Sequence, residues 1–351
     1  MTANPFLGVT LHAAGGLAAG SFYIPFKRVR YWAWESYWLV GGFSSWIIMP
    51  WLVSWLTVPD LLDVLGETPA KTLWLSYAFG VLWGIGGLTF GLSMRYLGMS
   101  LGYAVALGFC AAFGTVLVPI HDGVFLQMIQ SPSGWTTLAG VAVCLGGIGI
   151  CGTAGARKER ELPAETKTAA IAEFSFVKGV WVAVFAGVMS ACMAFGIAAG
   201  KPIAGLAEAH GTHALWRNSP VFIIIFAGGF TTNVIWCLVL NVRNGTARDY
   251  VNVAGAPILS NYLFSVLAGI TWYLQFMFYG MGTTRMGKYD FSSWTIHMAF
   301  IIVFSNVWAL LFREWRGASR WTVRLVFSGI VLLILSTVIV GIGTYLASAK
   351  P

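Results

Sequence analysis

Charged residues are scarce in this chain of 351 residues. Asp, Glu, Lys and Arg together account for 10% of it, whereas they make up about 25% of an ordinary soluble domain. Apolar residues account for 58%, and the mean hydropathy is +0.76. This composition excludes a water-soluble globular domain, a disordered chain and a fibrous repeat.

Paired cysteine spacings are absent as well. All five cysteines fall within apolar stretches, so the sequence indicates neither a disulfide framework nor a zinc site. We expect them to pack as small apolar residues. They are Cys110, Cys144, Cys151, Cys192 and Cys237.

The sequence also lacks the short motifs of several enzyme and pump classes. It contains no HExxH, no nucleophile elbow and no P-loop, which excludes a metalloprotease, an esterase and an ATP-driven pump. A formal GxGxxG occurs as Gly147, Gly149 and Gly152, but it lies inside an apolar run with no strand before it, so it predicts helix packing. We expect no enzyme activity and no cofactor, and uphill transport would have to draw on an ion gradient.

Long apolar runs dominate what the sequence does contain. A helix needs about 20 residues to cross a hydrocarbon core about 30 Å thick, and ten runs of that length can be placed. They cover residues 6–26, 37–57, 73–94, 99–119, 135–153, 178–200, 219–241, 261–281, 291–312 and 323–346. The sequence therefore predicts an all-α membrane protein with ten transmembrane helices.

A polar connection at residues 154–177 divides the chain into two parts with five predicted helices each, residues 1–153 and 178–351. Helices 3 and 8 each carry a Gly-Ile pair, at Gly84 and Gly269, and helices 5 and 10 end in similar glycine-rich stretches. Because each half has an odd number of helices, similar halves must lie in opposite orientations. The pattern favours two inverted five-helix repeats, and an accidental likeness between glycine-rich helices is the alternative.

The net charge of +8 does not indicate nucleic acid, because Lys and Arg lie between apolar runs and form no patch. Fifteen of the 21 Lys and Arg fall in the connections after helices 1, 3, 5, 7 and 9. Basic residues near helix ends are retained in the cytoplasm. We therefore predict a multi-pass protein, in contact with membrane lipid, whose two termini face outward.

Ionisable side chains at membrane depth are the best functional candidates, because they are costly there and usually face a cavity or a partner. We expect a coupling proton to be carried by Asp290 or His297, with His12 and Glu35 as further candidates, since carboxyl and imidazole groups can take up protons. Other roles stay open. His12 could bond a backbone carbonyl in a packing seam, Asp290 could cap a helix, and His297 could be a satisfied core residue.

Aromatic and amide side chains stand near these groups at helical spacing. Trp294 shares a face of helix 9 with Asp290, and Gln275 on helix 8 shares faces with Tyr279 and Trp272. Stacking rings with amide and acidic groups suit a small neutral sugar, although Trp272 and Tyr279 could instead belong to interfacial belts. The predicted substrate contacts are Gln275, Tyr279, Trp294, Tyr103, Trp272 and Tyr23.

Helix 1 and its end carry two further features. His12, Gly16 and Tyr23 fall on one face, which lines a pocket or forms a packing seam. Lys27 belongs to a basic stretch that sets topology or forms a gating ion pair, and we expect Glu35 to pair with one of its charges. Lys201, before a proline at the end of helix 6, is the counterpart on the outer side.

These residues lie in stretches that resemble the L-rhamnose/proton symporter family of bacterial inner membranes, a branch of the drug/metabolite transporter superfamily. The resemblance implies ten helices in two inverted halves and uptake of a 6-deoxyhexose, most simply L-rhamnose, with protons. A drug or metabolite exporter of the same superfamily is the alternative. The matching stretches are FYIPFKRVRYWAWE at 22–35, WGIGGLTFGLSMRYLGMS at 83–100, AGKP at 199–202, WYLQFMFYG at 272–280, YDFSSWTIHM at 289–298 and Glu314-Trp315.

The chain departs from this family pattern in helix 3. The enteric members carry two asparagines and a tyrosine where this chain has Gly87, Thr89 and Phe90. Loss of amides near the centre of a helix changes which sugar hydroxyls can be matched. The resemblance therefore implies the transport mode more strongly than the individual sugar.

Overall fold

The computed structural model describes residues 4–97, 99–121, 123–161, 176–251 and 255–348, and these residues form helices and their connections with no β-strand among them. Ten long helices follow one another. They are α1 (Pro5–Ser21, continued by Tyr23–Phe26), α2 (Trp34–Phe43, Ser44–Ile48 and Met49–Thr57), α3 (Ala70–Leu97), α4 (Met99–His121), α5 (Pro132–Glu161), α6 (Phe176–Ala199), α7 (Ser219–Asn244), α8 (Ile258–Thr283), α9 (Ser293–Leu311) and α10 (Arg320–Ser348).

Most of these helices are long enough to cross a membrane. In the described part of the chain, nine segments have the length and apolar composition of a membrane span, and α4 adds a shorter apolar segment at Val105–Ile120. The predicted all-α membrane fold is therefore confirmed.

Helix α2 is not the uniform helix that its apolar run predicts. A π-helical turn occupies Ser44–Ile48, where the N–H of Met49 donates to the carbonyl of Ser44, five residues earlier. Pro50 is the second residue of the α-helical segment that follows, Met49–Thr57. Because proline has no N–H and its ring clashes with the carbonyl four residues before it, the ladder widens by one residue at this point.

Helix α5 continues past its predicted end at residue 153 to Glu161. The connection predicted at 154–177 thus begins as helix, and its residues 162–175 lie outside the described part of the chain. Glu161 caps the start of α10, because its two carboxylate oxygens accept from the N–H of Ser319 at 2.7 Å and from the hydroxyl of Thr322 at 2.7 Å. These bonds join the ends of α5 and α10.

Glycines allow the helices to approach closely. A Cβ added at Gly16 of α1 would lie 2.4 Å from the Cβ of Phe300 on α9, and one at Gly84 of α3 would lie 2.9 Å from the carbonyl oxygen of Gly229 on α7. The small residues of α1 therefore form a packing seam against α9. Gly87 differs, since a Cβ there would meet no described atom within 4 Å. The five cysteines are free and buried.

The helix contacts repeat along the chain. Helix α1 packs on α8 and α9, and α6 packs on α3 and α4; α8 packs on α2 as α3 packs on α7; α9 packs on α10 as α4 packs on α5. Each of these contacts therefore has a counterpart five helices away. Helices α5 and α10 pack on each other.

Candidate functional site

A cavity of about 290 Å³ opens at one end of the bundle, which we call the cavity side. Helices α4, α6 and α8 end there and α9 begins there, so side chains from four helices and two connections meet around it. The lining residues include Gly114, Val118, Ala194, Ile197, Lys201, Arg217, Asn218, Tyr279, Thr283, Asp290, Phe291 and Trp294.

An ion pair stands at the rim of this cavity. Nζ of Lys201 lies 3.5 Å from Oδ2 of Asp290, and both side chains are partly exposed. Lys201 begins a short helix, Lys201–Ala209, and Asp290 lies in a 3₁₀ turn, Gly287–Ser292, just before α9. Asp290 therefore lies at the mouth of the cavity in contact with a cation.

Two aromatic rings form part of the cavity wall. Trp294 and Tyr279 stand edge to face with ring centroids 5.7 Å apart. The indole N–H of Trp294 donates to the carbonyl of Cys110 at 3.0 Å, and the ring fits against α4 at Gly114, where a Cβ would lie 2.4 Å from it. Both rings are predicted substrate contacts, and the structure brings them together.

Two histidines lie directly behind this wall. The ring of Tyr279 is 5.3 Å from that of His12 and 5.1 Å from that of His297, and the two imidazoles are 6.2 Å apart. Both histidines are fully buried, and none of their four ring nitrogens has a hydrogen-bond partner among the residues that the structure describes. The roles predicted for His12 and His297 stay predictions.

The other predicted substrate contacts lie elsewhere. Trp272 packs in an aromatic cluster further from the cavity side, and Gln275 is buried on α8 one turn before Tyr279. Tyr23 is exposed near the end of α1, where its ring stacks on Trp38 at 6.4 Å. Tyr103 belongs to α4, and its side chain lies outside the described part. Only Tyr279 and Trp294 of the six line the described cavity.

An aromatic cluster fills the interior below the cavity. Trp272 lies at its centre, with its ring 5.5 Å from Trp46, 5.7 Å from Trp83 and 5.1 Å from Phe276. Phe226 of α7 closes the cluster. The rings come from α2, α3, α7 and α8. The space left beside them toward the opposite end of the bundle, which we call the far side, is about 10 Å³. Large rings thus fill the middle of the bundle beneath the cavity.

The far side also carries an ion pair, although not the predicted one. Nζ of Lys27 lies 3.2 Å from Oε1 of Glu314, which follows α9. The expected pairing of Glu35 with a basic residue is wrong, because Oε1 of Glu35 accepts from the amide of Asn244 at 2.9 Å and the hydroxyl of Thr246 at 2.8 Å. Amide and hydroxyl donors hold a buried carboxylate without requiring a second charge.

A second buried carboxylate on that side was not predicted. Oδ2 of Asp249 accepts from the N–H of Ala33 and the hydroxyl of Ser36, both at 2.7 Å. The amide of Asn241 donates to Ser36 and to Thr246. This network fastens the segment before α2 to the connection after α7. Asp249 lies in a polar connection with no periodic pattern, so no sequence signal marks it.

No group of three or more His, Cys, Asp or Glu side chains that could hold a metal ion occurs within the described ranges. The site consists of an aromatic-walled cavity with an ion pair at its rim and a buried imidazole pair behind its wall. Helical bundles that enclose a polar cavity are typical of secondary transporters, which carry a solute through the membrane by exposing one site to each side in turn.

Comparison with known proteins identifies the family to which the chain is similar. Residues 1–347 match the family described as L-rhamnose-proton symport protein. The chain is 38% identical over 340 residues to a Yersinia pestis protein named L-rhamnose-proton symporter, which covers 96% of this chain and 97% of that protein. It is 39% identical over 344 residues to the protein of the same name from Pectobacterium atrosepticum, covering 97% and 98%.

The chain belongs to the L-rhamnose-proton symporter family. The resemblance drawn from its sequence stretches is thereby confirmed. The family is one of transporters, which also confirms that the chain is not an enzyme.

Proposed function

We propose that this protein imports L-rhamnose together with protons, by alternating access of the cavity to the two sides of the membrane. The observation that carries the proposal is the asymmetry of the bundle: a cavity of about 290 Å³ walled by Tyr279 and Trp294 opens at one end, and the aromatic cluster around Trp272 fills the middle of the bundle beneath it. The names of the relatives supply the solute and the ion.

The chemistry of the cavity suits a monosaccharide. Its volume lies at the small end of ligand pockets, which span about 300 to 1,000 Å³. The rings of Tyr279 and Trp294 offer apolar faces for sugar C–H groups, and Lys201, Asp290 and Asn218 offer donors and acceptors for hydroxyl groups at the rim. An exporter of lipophilic compounds would have little use for these charged side chains.

Two inverted five-helix repeats would provide the moving halves. The repeat of helix contacts after five helices supports this arrangement, and so does a pair of matching close approaches: Gly84 of α3 lies against Gly229 of α7, and Gly269 of α8 lies against Gly41 of α2. Rocking of one half against the other would close the cavity side and open the far side.

The orientation follows from the distribution of basic residues. The segments after α1, α5 and α9 carry most of the Lys and Arg, so the far side would face the cytoplasm and the cavity side the periplasm. The protein would thus span a bacterial inner membrane, surrounded by lipid, with both termini periplasmic. The ion pairs of Lys201 with Asp290 and of Lys27 with Glu314 would serve as outer and inner gates.

The coupling ion is the proton, with no further cofactor and no nucleic-acid partner. Its carrier belongs to the set of buried or cavity-facing ionisable side chains predicted from the sequence. These are Asp290, His297, His12 and Glu35.

Uptake into vesicles that contain the purified protein tests the proposal. We expect labelled L-rhamnose to accumulate when the outside is acidic, and L-fucose to accumulate less. Trp294→Ala in the wall should raise the sugar concentration needed for half-maximal uptake, whereas Trp181→Ala should not, because that ring is 71% exposed on α6. L-Rhamnose uptake that ignores the pH gradient, or efflux of lipophilic compounds instead of sugar uptake, would contradict the proposal.

A further inference from the structure

The two histidines behind the cavity wall are an unusual pair. His12 comes from α1 and His297 from α9, and both are fully buried. Their ring nitrogens have no hydrogen-bond partner in the described part of the chain. Buried polar groups are almost always paired, since an unpaired one costs free energy. A site that keeps two such groups side by side is expected to use them.

Neighbouring helices are shaped to hold both rings. A Cβ added at Gly282 of α8 would lie 2.7 Å from Cε1 of His12, and one at Gly15 of α1 would lie 3.1 Å from Cε1 of His297. Any larger residue at either position would push an imidazole out of place. Three helices therefore fix the separation of the two rings at 6.2 Å.

Tyr279 connects this pair to the cavity. Its ring contacts both imidazoles and also Trp294, and it lines the cavity. Among the described side chains in ring contact with the pair, α8 contributes Tyr279 as a titratable group and Phe276 as an apolar one, while α1 and α9 contribute the imidazoles themselves. A solute that touches Tyr279 can therefore affect the pair without touching it.

The other two candidate proton carriers are already compensated. The carboxylate of Asp290 faces the ammonium group of Lys201 at 3.5 Å, and that of Glu35 accepts two hydrogen bonds, from Asn244 and Thr246. Each therefore has partners that stabilise its charged form. No described side chain donates to or accepts from either imidazole, so a proton that binds one of them is held by the pair and its immediate surroundings.

We infer that His12 and His297 together hold the single coupling proton of the transport cycle and that Tyr279 links its binding to the sugar in the cavity. This inference rests on the proposed function. The proton adds to the lone pair of one ring nitrogen and later leaves it for water on the other side, and no other bond changes. Two charged imidazoles at this separation repel each other, so the pair takes one proton and not two.

Coupling then follows from linkage. If the proton on the pair strengthens sugar binding through Tyr279, the sugar must strengthen proton binding by the same factor. The apparent affinity for L-rhamnose should therefore rise as the pH of the cavity side falls, and sugar binding should draw a proton from solution.

Three variants test this inference: His12→Asn, His297→Gln and the two combined. In vesicles we expect each to lose accumulation driven by an acidic outside, so that the sugar only equilibrates, while exchange of internal for external L-rhamnose stays within a few-fold of the unchanged protein. Because the histidines share one proton, the double variant should be no worse than either single one. His213→Gln is the matched control, because His213 is exposed in the connection before α7.

A binding measurement gives a second readout. Calorimetric titration of the purified protein with L-rhamnose, in two buffers of different ionisation enthalpy at about pH 6 and about pH 8, should show uptake of a proton by the unchanged protein and by His213→Gln but not by the pair variants. Normal accumulation in both single variants would overturn the inference, and so would loss of exchange together with accumulation. Failure of the unchanged protein to accumulate L-rhamnose would refute the proposed function instead.

Discussion

Lys27 and Glu314 join the end of α1 to the segment after α9, with Nζ 3.2 Å from Oε1, on the side of the bundle opposite to the cavity. Both side chains are about half exposed, at 57% and 45%. Exposed ion pairs contribute only about 0 to 1 kcal/mol to stability. A bond of this strength suits a gate, because the contact can break and form again at little cost in each cycle.

Charge reversal tests whether this ion pair acts as the proposed gate. Lys27→Glu places two carboxylates together, so we expect the far side to open and L-rhamnose uptake to fall several-fold. Adding Glu314→Lys restores an ion pair in the opposite sense and should recover most of the uptake. Initial rates in vesicles measure both effects, with protein amounts compared after reconstitution. An unrecovered double variant would show that Lys27 acts through something other than Glu314.

Asp290→Asn tests whether Asp290 only forms the ion pair at the rim or also carries the coupling proton. The substitution removes the charge that faces Lys201 but leaves His12 and His297 in place. We expect accumulation driven by the pH gradient to persist, with the sugar concentration for half-maximal uptake raised a few-fold because the rim loses an ion pair. Uptake and exchange in vesicles check this. Lost accumulation with normal exchange would place the proton on Asp290 instead of the histidine pair.

Glu161 should make stability depend on pH. Hydrogen bonds from Ser319 and Thr322 lower the pKa of its carboxyl below the usual value. A lowered folded-state pKa stabilises the protein above the unfolded value, about 4.3, and this contribution is lost as the pH falls through the folded-state pKa.

Glu161→Gln should therefore lower the thermal unfolding midpoint at neutral pH, and the difference from the unchanged protein should vanish in acid. Scanning fluorimetry in detergent across pH measures both, with the exposed Asp63→Asn as the control. A difference that persists in acid would mean that the charge of Glu161 is not what secures the start of α10.

His210 should have the opposite dependence. Its Nε2 lies 3.1 Å from Oε2 of Glu67, and this hydrogen bond raises the pKa of the imidazole. The contact ties the end of the Lys201–Ala209 helix to the Leu61–Glu67 helix on the cavity side. A raised folded-state pKa stabilises the protein below the unfolded value, about 6.5, and the contribution is lost as the pH rises through the folded-state pKa.

His210→Gln should thus lower the unfolding midpoint at about pH 6 and leave it unchanged well above the folded-state pKa. His213→Gln should leave the unfolding midpoint unchanged at both pH values. Titration of the imidazole by nuclear magnetic resonance would give its pKa directly, and a value at or below that of a free histidine would contradict the prediction.

Hydrophobic periodicity predicted the helices, but it did not predict which side chains along one helix face line the cavity. Trp272 and Tyr279 are two turns apart and share a face of α8, as the sequence indicates. Yet Trp272 packs in the aromatic cluster and Tyr279 lines the cavity, because the space between the helices changes along the bundle. A single helix pattern carries no information about that space.

Contacts between residues far apart in the chain could not be predicted from the sequence either. Lys27 and Glu314 are 287 positions apart, and Glu35 bonds to Asn244 and Thr246 on another connection. The sequence marked Lys27 and Glu35 as noteworthy through their charge, but the nearest opposite charge along the chain was not the partner. His12 and His297 were easier to find, since ionisable residues at membrane depth are few.

Gly282→Ala tests whether the geometry of the histidine pair matters and not only its presence. The added Cβ would lie 2.7 Å from Cε1 of His12 and 2.8 Å from its Nε2, so the ring must shift away from its place. We expect a destabilisation of about 1 to 3 kcal/mol, as for other overpacked sites, and a clear fall in accumulation. Thermal unfolding and vesicle uptake measure the two effects.

Gly149→Ala is the matched control, because Gly149 also lies within a membrane helix but a Cβ there would meet no described atom within 4 Å. Alanine is favoured over glycine in helices by about 1 kcal/mol, so this variant should be as stable as the unchanged protein or more so, with full accumulation. If Gly282→Ala also accumulated L-rhamnose normally, His12 could leave its place without loss of coupling, and a proton held jointly by the two imidazoles would be untenable.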